Sequence, residues 1–218
     1  MESTVGHVTH PAWWLQLYAW VDARKQQLLY GGVGVVVVGI AVSYYFYRGA
    51  QREVEAGEAL SQASTAARSL GARAEKPEPF LKVAAEFSGT SAAGQALLRA
   101  ATAYFVDGKY TEAQAQFDRF IREYRDNPLV GQAQFGVAAC LDAQGKTADA
   151  TERYKSLIDR RPNDNVIPQA KLNLARLYEG QGKPEQAKSL YEEVARSAPY
   201  GAAGAEAGAR LQALLAKH

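Results

Sequence analysis

Histidine is almost absent from this chain of 218 residues: there are three, His7, His10 and His218. All lie near the two ends, so neither an imidazole metal site nor a histidine-based triad can be assembled inside a folded body. His7 and His10 have the spacing of a weak metal pair, against which stands the reading as a flexible tail. Cysteine is rarer still. Cys140 is alone, which excludes an internal disulfide. It lies too far along the chain to carry a lipid, and one position before the apolar Leu141 it reads as a small buried hydrophobe. Charge of one sign is also lacking, with 25 basic against 23 acidic side chains. Residues 1–47 hold two of each, so the remainder is equally balanced and offers no electrostatic footprint for nucleic acid. No catalytic residues, no metal, no cofactor and no small-molecule substrate are expected. Non-enzymatic work by a surface is what remains.

One motif tests that exclusion. "AQGKTA" at residues 143–148 contains the Gly-Lys-Thr that closes a phosphate-binding loop. That loop also needs a glycine five residues before the Gly-Lys, so that backbone N–H groups can wrap a phosphate. The position is Cys140, and no β-rich strand leads into it. The Gly-Lys pair has another origin, because it recurs as Gly108-Lys109, Gly145-Lys146 and Gly182-Lys183 at a constant interval of 37 residues. Gln95-Ala96, Gln132-Ala133 and Gln169-Ala170 share the register. So do Ala101, Ala138 and Ala175, then Tyr104, Leu141 and Tyr178. After the glycines come Ala113, Ala150 and Ala187, then Phe117, Tyr154 and Tyr191.

Each unit is helical by periodicity. Leu97, Leu98, Tyr104 and Phe105 fall at helical spacing before Gly108, and Ala113, Phe117, Phe120 and Ile121 follow i, i+4, i+7, i+8 after it. A glycine between two such stretches supplies the positive φ that ends a helix, and a lysine there suits the helix dipole. The unit is therefore a helix–turn–helix hairpin, with alanines that let its helices approach closely. Stacked hairpins bury faces that no single one can bury.

These positions resemble the tetratricopeptide repeat, whose small-residue, aromatic, Gly, Ala, aromatic and Pro pattern matches Ala101, Tyr104, Gly108, Ala113 and Phe117. The second unit matches with Ala138, Leu141, Gly145, Ala150, Tyr154 and Pro162, the third with Ala175, Tyr178, Gly182, Ala187, Tyr191 and Pro199. Departures are the long period and Leu97, Gln134 and Lys171 where the family often has Trp. The fold class expected is all-α: an N-terminal transmembrane helix, then an α-solenoid of tetratricopeptide hairpins with a C-terminal capping helix. Three repeats occupy 92–200, and the cap occupies 201–218 with Leu211, Leu214 and Leu215 inward. Residues 48–91 form either a degenerate first hairpin, with Gly71 and Phe80 in register with Gly108 and Phe117, or a lone packing helix and a loop.

The transmembrane helix is expected over 27–47. From Leu28 to Tyr47 no residue is charged, which is about the length that crosses a bilayer. Trp13, Trp14, Tyr18 and Trp20 precede it, and Tyr44 to Tyr47 close it, as aromatic belts do at membrane interfaces. "SYYFYRGA" offers no signal-peptidase pattern, so an uncleaved anchor is expected. The glycines of "GGVGVVVVG" come near a dinucleotide fingerprint, yet inside the span they serve close helix approach. Gly32, Gly39 and Ser43 make a small-residue face for a partner's transmembrane helix, or else face lipid. Arg24 and Lys25 against Arg48 and Arg52 leave the positive-inside rule nearly balanced. A cytoplasmic tail over 1–26 and repeats outside the cytoplasm are expected.

In architecture, Trp20, Lys25, Gly31, Gly32, Tyr44 to Arg48 and "AYFVDGKYTEAQAQFDRFI" resemble the bacterial ancillary SecYEG translocon subunit. That resemblance implies an inner-membrane protein with a periplasmic repeat domain and chaperone-like contacts to emerging polypeptides. Its implied partners are translocon subunits, unfolded or emerging polypeptides and the lipid bilayer. Alternatives are a division or envelope-assembly scaffold of the Tol–Pal-associated type, and an organelle-membrane receptor with cytosolic repeats. The repeat family's concave groove corresponds to Gln95, Leu98, Thr102, Phe105 and Val106, then Gln132, Phe135, Ala139 and Asp142, then Gln169, Leu172, Arg176 and Glu179. Leu98, Thr102, Gly136 and Gln169 stand where carboxylate-clamping members use Lys, Asn or Arg. A polypeptide segment suits such a groove unless residues 50–90 cover it.

Overall fold

The computed structural model describes residues 13–68 and 75–216, and its regular elements there are all helices. Helix α1 spans Trp13–Ala23, α2 Lys25–Arg68, α3 Pro77–Glu86 and α4 Ser91–Val106. Then follow α5 Tyr110–Glu123, α6 Val130–Ala143, α7 Thr147–Arg160, α8 Ile167–Gly180, α9 Pro184–Ser197 and α10 Ala202–Leu215. The chain divides into two compact units, residues 1–51 and 52–218. His7, His10, Gly71 and His218 lie outside the described residues.

The first unit holds α1 and the apolar part of α2. By length and composition α2 is a helix able to cross a membrane. Val33 to Val38, Ile40 and Val42 are exposed all round it, and so are Tyr44 to Tyr47. Gly39 and Ser43 are exposed on α2, a Cβ built on Gly39 would meet nothing within 4 Å, and Gly32 is part of the same helix.

In the second unit the repeat is visible in backbone detail. Gly108, Gly145 and Gly182 have φ of +76°, +73° and +71°. Around each of them the same two bonds recur. Gly108 N donates to Phe105 O and Lys109 N to Tyr104 O, Gly145 N to Asp142 O and Lys146 N to Leu141 O, Gly182 N to Glu179 O and Lys183 N to Tyr178 O. This is a Schellman termination, which satisfies carbonyls that the helix end leaves unpaired. The lysines have a further role: Lys109 Nζ lies 5.9 Å from the Tyr104 ring centre, and Lys183 Nζ 5.7 Å from that of Tyr178. Leu141 gives Lys146 no such ring.

Between hairpins the link is also periodic. Asn127 Oδ1 accepts from Leu129 N at 2.9 Å, and Asp164 Oδ1 from Val166 N at 3.3 Å, each turning the chain into the next helix. The alanines sit where helices touch: Ala96, Ala133, Ala170, Ala101, Ala138, Ala175, Ala113, Ala150 and Ala187 are wholly buried. Larger side chains there would overpack the seam. Of the positions where the family has Trp, Leu97 is buried, Gln134 is half-buried, and Lys171 pairs with Glu193 at 2.7 Å.

Over 48–91 the structure places two helical stretches, the end of α2 and α3. Pro77 and Pro79 open α3, where a missing N–H costs nothing. Ala63 and Ala67 of α2 join Phe80, Val83 and Ala84 of α3 in the main core. Two charges fasten them. Glu53 accepts from Ser91 N at 3.0 Å, at the positive end of α4, and Arg52 donates to Glu86 O at 3.3 Å, at the negative end of α3. At the other end α10 is shaped as the first helix of a further unit, with Ala207 in register with Ala170 and wholly buried. Leu214 is buried and Leu211 packs against the core, but Leu215 is 48% exposed and does not point inward. Residues 211, 214 and 215 share one helical arc, but the covered stripe runs through 207, 211 and 214 and leaves 215 at its edge.

The turn geometry gives a sharp comparison. Gly145→Val places a β-branched residue at positive φ and is expected to cost about 1–3 kcal/mol in denaturant unfolding. Gly180→Ala, at a helical position where an added Cβ meets nothing within 4 Å, is expected to be neutral or to gain up to about 1 kcal/mol.

Candidate functional site

The second helix of each pair carries an aromatic at one register: Phe80, Phe117, Tyr154 and Tyr191, all buried. The first helix of the following pair meets that ring through one position, occupied in turn by Arg99, Gly136, Asn173 and Arg210. Arg99 lies over Phe80, 5.7 Å from the ring centre, and donates to Ser64 Oγ at 2.9 Å. Asn173 Nδ2 donates to Tyr154 Oη at 3.0 Å, its own Oδ1 accepting from Gln169 Nε2 at 3.2 Å. Tyr191 Oη donates to Glu179 Oε2 at 3.0 Å, and Arg210 approaches the same carboxylate at 4.0 Å.

Gly136 is the exception. A Cβ there would fall 2.5–2.7 Å from the Phe117 ring, so the ring lies against the α6 backbone as no side chain would allow. The space above it stays open. This is a recess of about 180 Å³ lined by Thr102, Phe105, Phe117, Gln132, Phe135, Gly136 and Ala139. The floor and walls are carbon, from three phenylalanines and an alanine, and Thr102 and Gln132 supply polar groups at the rim. Phe105 rests edge-on against Tyr110 at 5.3 Å, and Phe135 is tilted against Tyr154 at 5.8 Å, so both walls are braced.

Of the residues assigned to the groove by sequence, Thr102, Phe105, Gln132, Phe135 and Ala139 come together in this recess. Gln95 is exposed, and Val106 is 62% exposed, beside it in sequence but not among its lining. Leu98 and Leu172 do not line a groove, because both are buried in the core. They share a register with Phe135, whose larger ring is only half-buried and lines the recess. Asp142, Gln169 and Glu179 are half-buried and Arg176 is exposed. Burial raises the Asp142 carboxyl above its ordinary value, and the Arg176 charge opposes that shift. The concave side is thus apolar over α4–α6 and hydrogen-bonded or charged over α6–α8. No residue of 52–68 or 75–90 lines the recess, so that part of the chain leaves it open.

Phe117 was not legible as a site residue, being a packing residue by register. Gly136 stands at a position where carboxylate-clamping members carry a polar side chain, and as a glycine it interrupts a column of Arg, Asn and Arg. Cys140 lies wholly buried in α6, and burial pushes its thiol up to about 12, with Asp118 adding to the shift. Among the described residues no group of three or more His, Cys, Asp or Glu is placed to hold a metal.

Stacked helix pairs with an open concave face define a class of protein that works by holding other polypeptides. Two family profiles described as tetratricopeptide repeat match residues 98–165 and 141–217. The chain is a tetratricopeptide repeat protein, and such repeats form a protein–protein interaction module, typically a non-enzymatic scaffold. No curated protein sequence matches it. Solved structures share the fold at low identity. A tetratricopeptide repeat protein from Parabacteroides merdae is 15% identical, with a TM-score of 0.57, over 77% of this chain and 61% of that one. PcrH from Pseudomonas aeruginosa is 20% identical, with a TM-score of 0.51, over 58% of this chain and 94% of that one. BtubC from P. vanneervenii is 16% identical, with a TM-score of 0.52, over 77% and 66%.

Two outcomes are expected of the site. Gly136→Ala drives Phe117 from its seat, costing about 1–3 kcal/mol in denaturant unfolding and shrinking the recess. The alkaline limb of stability follows from the buried acids. Burial raises Cys140, Tyr154 and Tyr191 above their ordinary values, with the Glu179 hydrogen bond contributing at Tyr191. The folded chain therefore keeps protons that the unfolded chain releases, and stability falls as pH rises above roughly 9, the thiol first and the phenols above about 10. Unfolding midpoints between pH 7 and 11 check this, and Cys140→Ala should flatten the first part of the decline.

Proposed function

We propose that this chain is a single-pass membrane protein of the bacterial inner membrane that holds polypeptide segments in the recess between α4 and α6. Its repeats lie on the periplasmic side, residues 27–47 cross the bilayer, and it serves as an ancillary translocon subunit with chaperone-like contacts to secreted or membrane proteins. The observation that carries the binding reading is the open apolar recess at Gly136. A client side chain of aliphatic or aromatic type fills it, losing water from carbon surface on both sides at roughly 25 cal/mol per Å². Thr102 and Gln132 offer a donor and acceptors to the client's backbone. Along the same face, Asp142, Gln169 and Arg176 accept polar or charged parts of the segment. An extended or helical stretch with one apolar anchor and flanking polar residues fits this division.

The anchor reading is supported by the uncharged apolar stretch of α2 and its aromatic ends. Gly32, Gly39 and Ser43 present backbone at close range, as a partner's transmembrane helix requires.

A reporter active only outside the cytoplasm, fused after residue 218, is expected to be active; silence removes the translocon reading. A photocrosslinking residue at Thr102 or Val106 is expected to capture emerging polypeptides, and one at Ser43 a translocon subunit. Recovery of a division or envelope-assembly protein instead points to a scaffold. Ala139→Glu puts a charge on the recess wall and is expected to reduce client capture about tenfold or more, with the Ser43 adduct unchanged.

A further inference from the structure

The structure holds a second apolar surface outside the repeat domain. Helix α1, Trp13–Ala23, carries one charged residue, Asp22. At roughly 100° per residue, Trp20, Trp13, Leu17 and Val21 fall within about 100° of arc, and Asp22 lies opposite Trp13. These four side chains are 50%, 65%, 58% and 40% exposed, and Tyr18, about 60° beyond the arc on the side of Asp22, is 69% exposed. A face of two indoles and two aliphatics left in water has no counterpart in the folded repeats.

Its length decides what can cover it. Eleven residues rise only about 16 Å, half of the hydrocarbon core, so α1 cannot cross a bilayer. It is nevertheless joined through Arg24 alone to α2, whose apolar stretch is in the same compact unit. The junction is polar and held together. Lys25 Nζ pairs with Asp22 at 3.3 Å, Arg24 lies 5.4 Å from the Trp20 ring centre, and Arg24 N donates to Val21 O. A break rich in charge between two apolar helices belongs at headgroup depth. Indole and phenol side chains, with an apolar body and one polar N–H or O–H, favour the same depth.

We infer that α1 lies in the plane of the membrane interface, with Trp13, Leu17, Trp20 and Val21 in the acyl boundary and Asp22 toward water. The partner of this face is the lipid surface itself. Residues 13–23 are then not part of a free tail, and the anchor consists of two parts, a crossing helix and an in-plane helix before it. An in-plane helix of this kind buries its apolar face about 5–10 Å into the boundary. It limits tilt and rotation of the span through its aromatic contacts. The inference rests on the proposal that residues 27–47 cross the bilayer.

The chain supplies its own probe, since its three tryptophans are Trp13, Trp14 and Trp20, all in α1. Full-length protein is reconstituted into phosphatidylcholine–phosphatidylglycerol vesicles whose acyl chains carry bromine either near the headgroup or near the bilayer centre. Carbonate-resistant flotation first reports whether α2 is inserted. The expected result is blue-shifted tryptophan emission, quenched more by shallow bromines than by deep ones and little by aqueous iodide. Leu17→Asp with Val21→Asp, both outside the span, is expected to keep flotation, lose lipid quenching and gain iodide quenching. Inserted protein with water-like emission and full iodide quenching overturns the in-plane helix and leaves the span intact. Quenching strongest from the bilayer centre also overturns it, in favour of deep insertion. Protein that does not float removes both readings.

Discussion

Each helix pair of this protein is closed upon the next by one ring. Phe80, Phe117, Tyr154 and Tyr191 project from the second helix of a pair into the first helix of the following one, and what they meet there decides the local surface. Where the register holds Arg99 or Asn173, a polar side chain contacts the ring or its hydroxyl, and Arg210 joins the carboxylate that Tyr191 bonds. Where it holds Gly136, the ring drops onto the backbone and leaves a cavity. Because the solenoid is held by neighbour-to-neighbour contacts, a change at one register acts locally and leaves the rest of the stack in place. This is how a repetitive architecture acquires a single distinctive site.

The same logic accounts for the division of the concave side. Its apolar half lies over the phenylalanine pair Phe117 and Phe135, and its polar half begins where Tyr154 takes up Asn173 and Gln169. A tyrosine hydroxyl buried between helices needs a partner, so its presence recruits amides to the surface above it. Phe117 needs none, and with Gly136 opposite it the surface there stays apolar.

The protein also joins two different kinds of stability. In the repeats, alanine seams and Schellman turns bring backbone close to backbone, and burial within the chain does the work. Around the apolar part of α2, large side chains are exposed on every side, and nothing among the described residues of the unit covers them. By length and composition it is the surface of a helix able to cross a membrane.

The sequence by itself determined the three helix hairpins over 92–200 and their turns, and left 48–91 open between a hairpin and a lone helix. Glycines 37 residues apart, alanines and aromatics in register, and a helical period are local signals, and local signals survive being read one residue at a time. It also named five of the recess residues, because their register on the first helix of each pair sets which face they occupy. It could not distinguish Leu98 and Leu172 from Phe135, since all three share that register and differ only in how far the neighbouring helix covers them. Leu215 was misplaced for the same reason: which side of α10 is covered depends on what packs there. The recess itself belonged wholly to tertiary structure. A cavity is the space between residues distant in sequence, here Phe117 of α5 and Gly136 of α6, and no periodicity reports the distance between them.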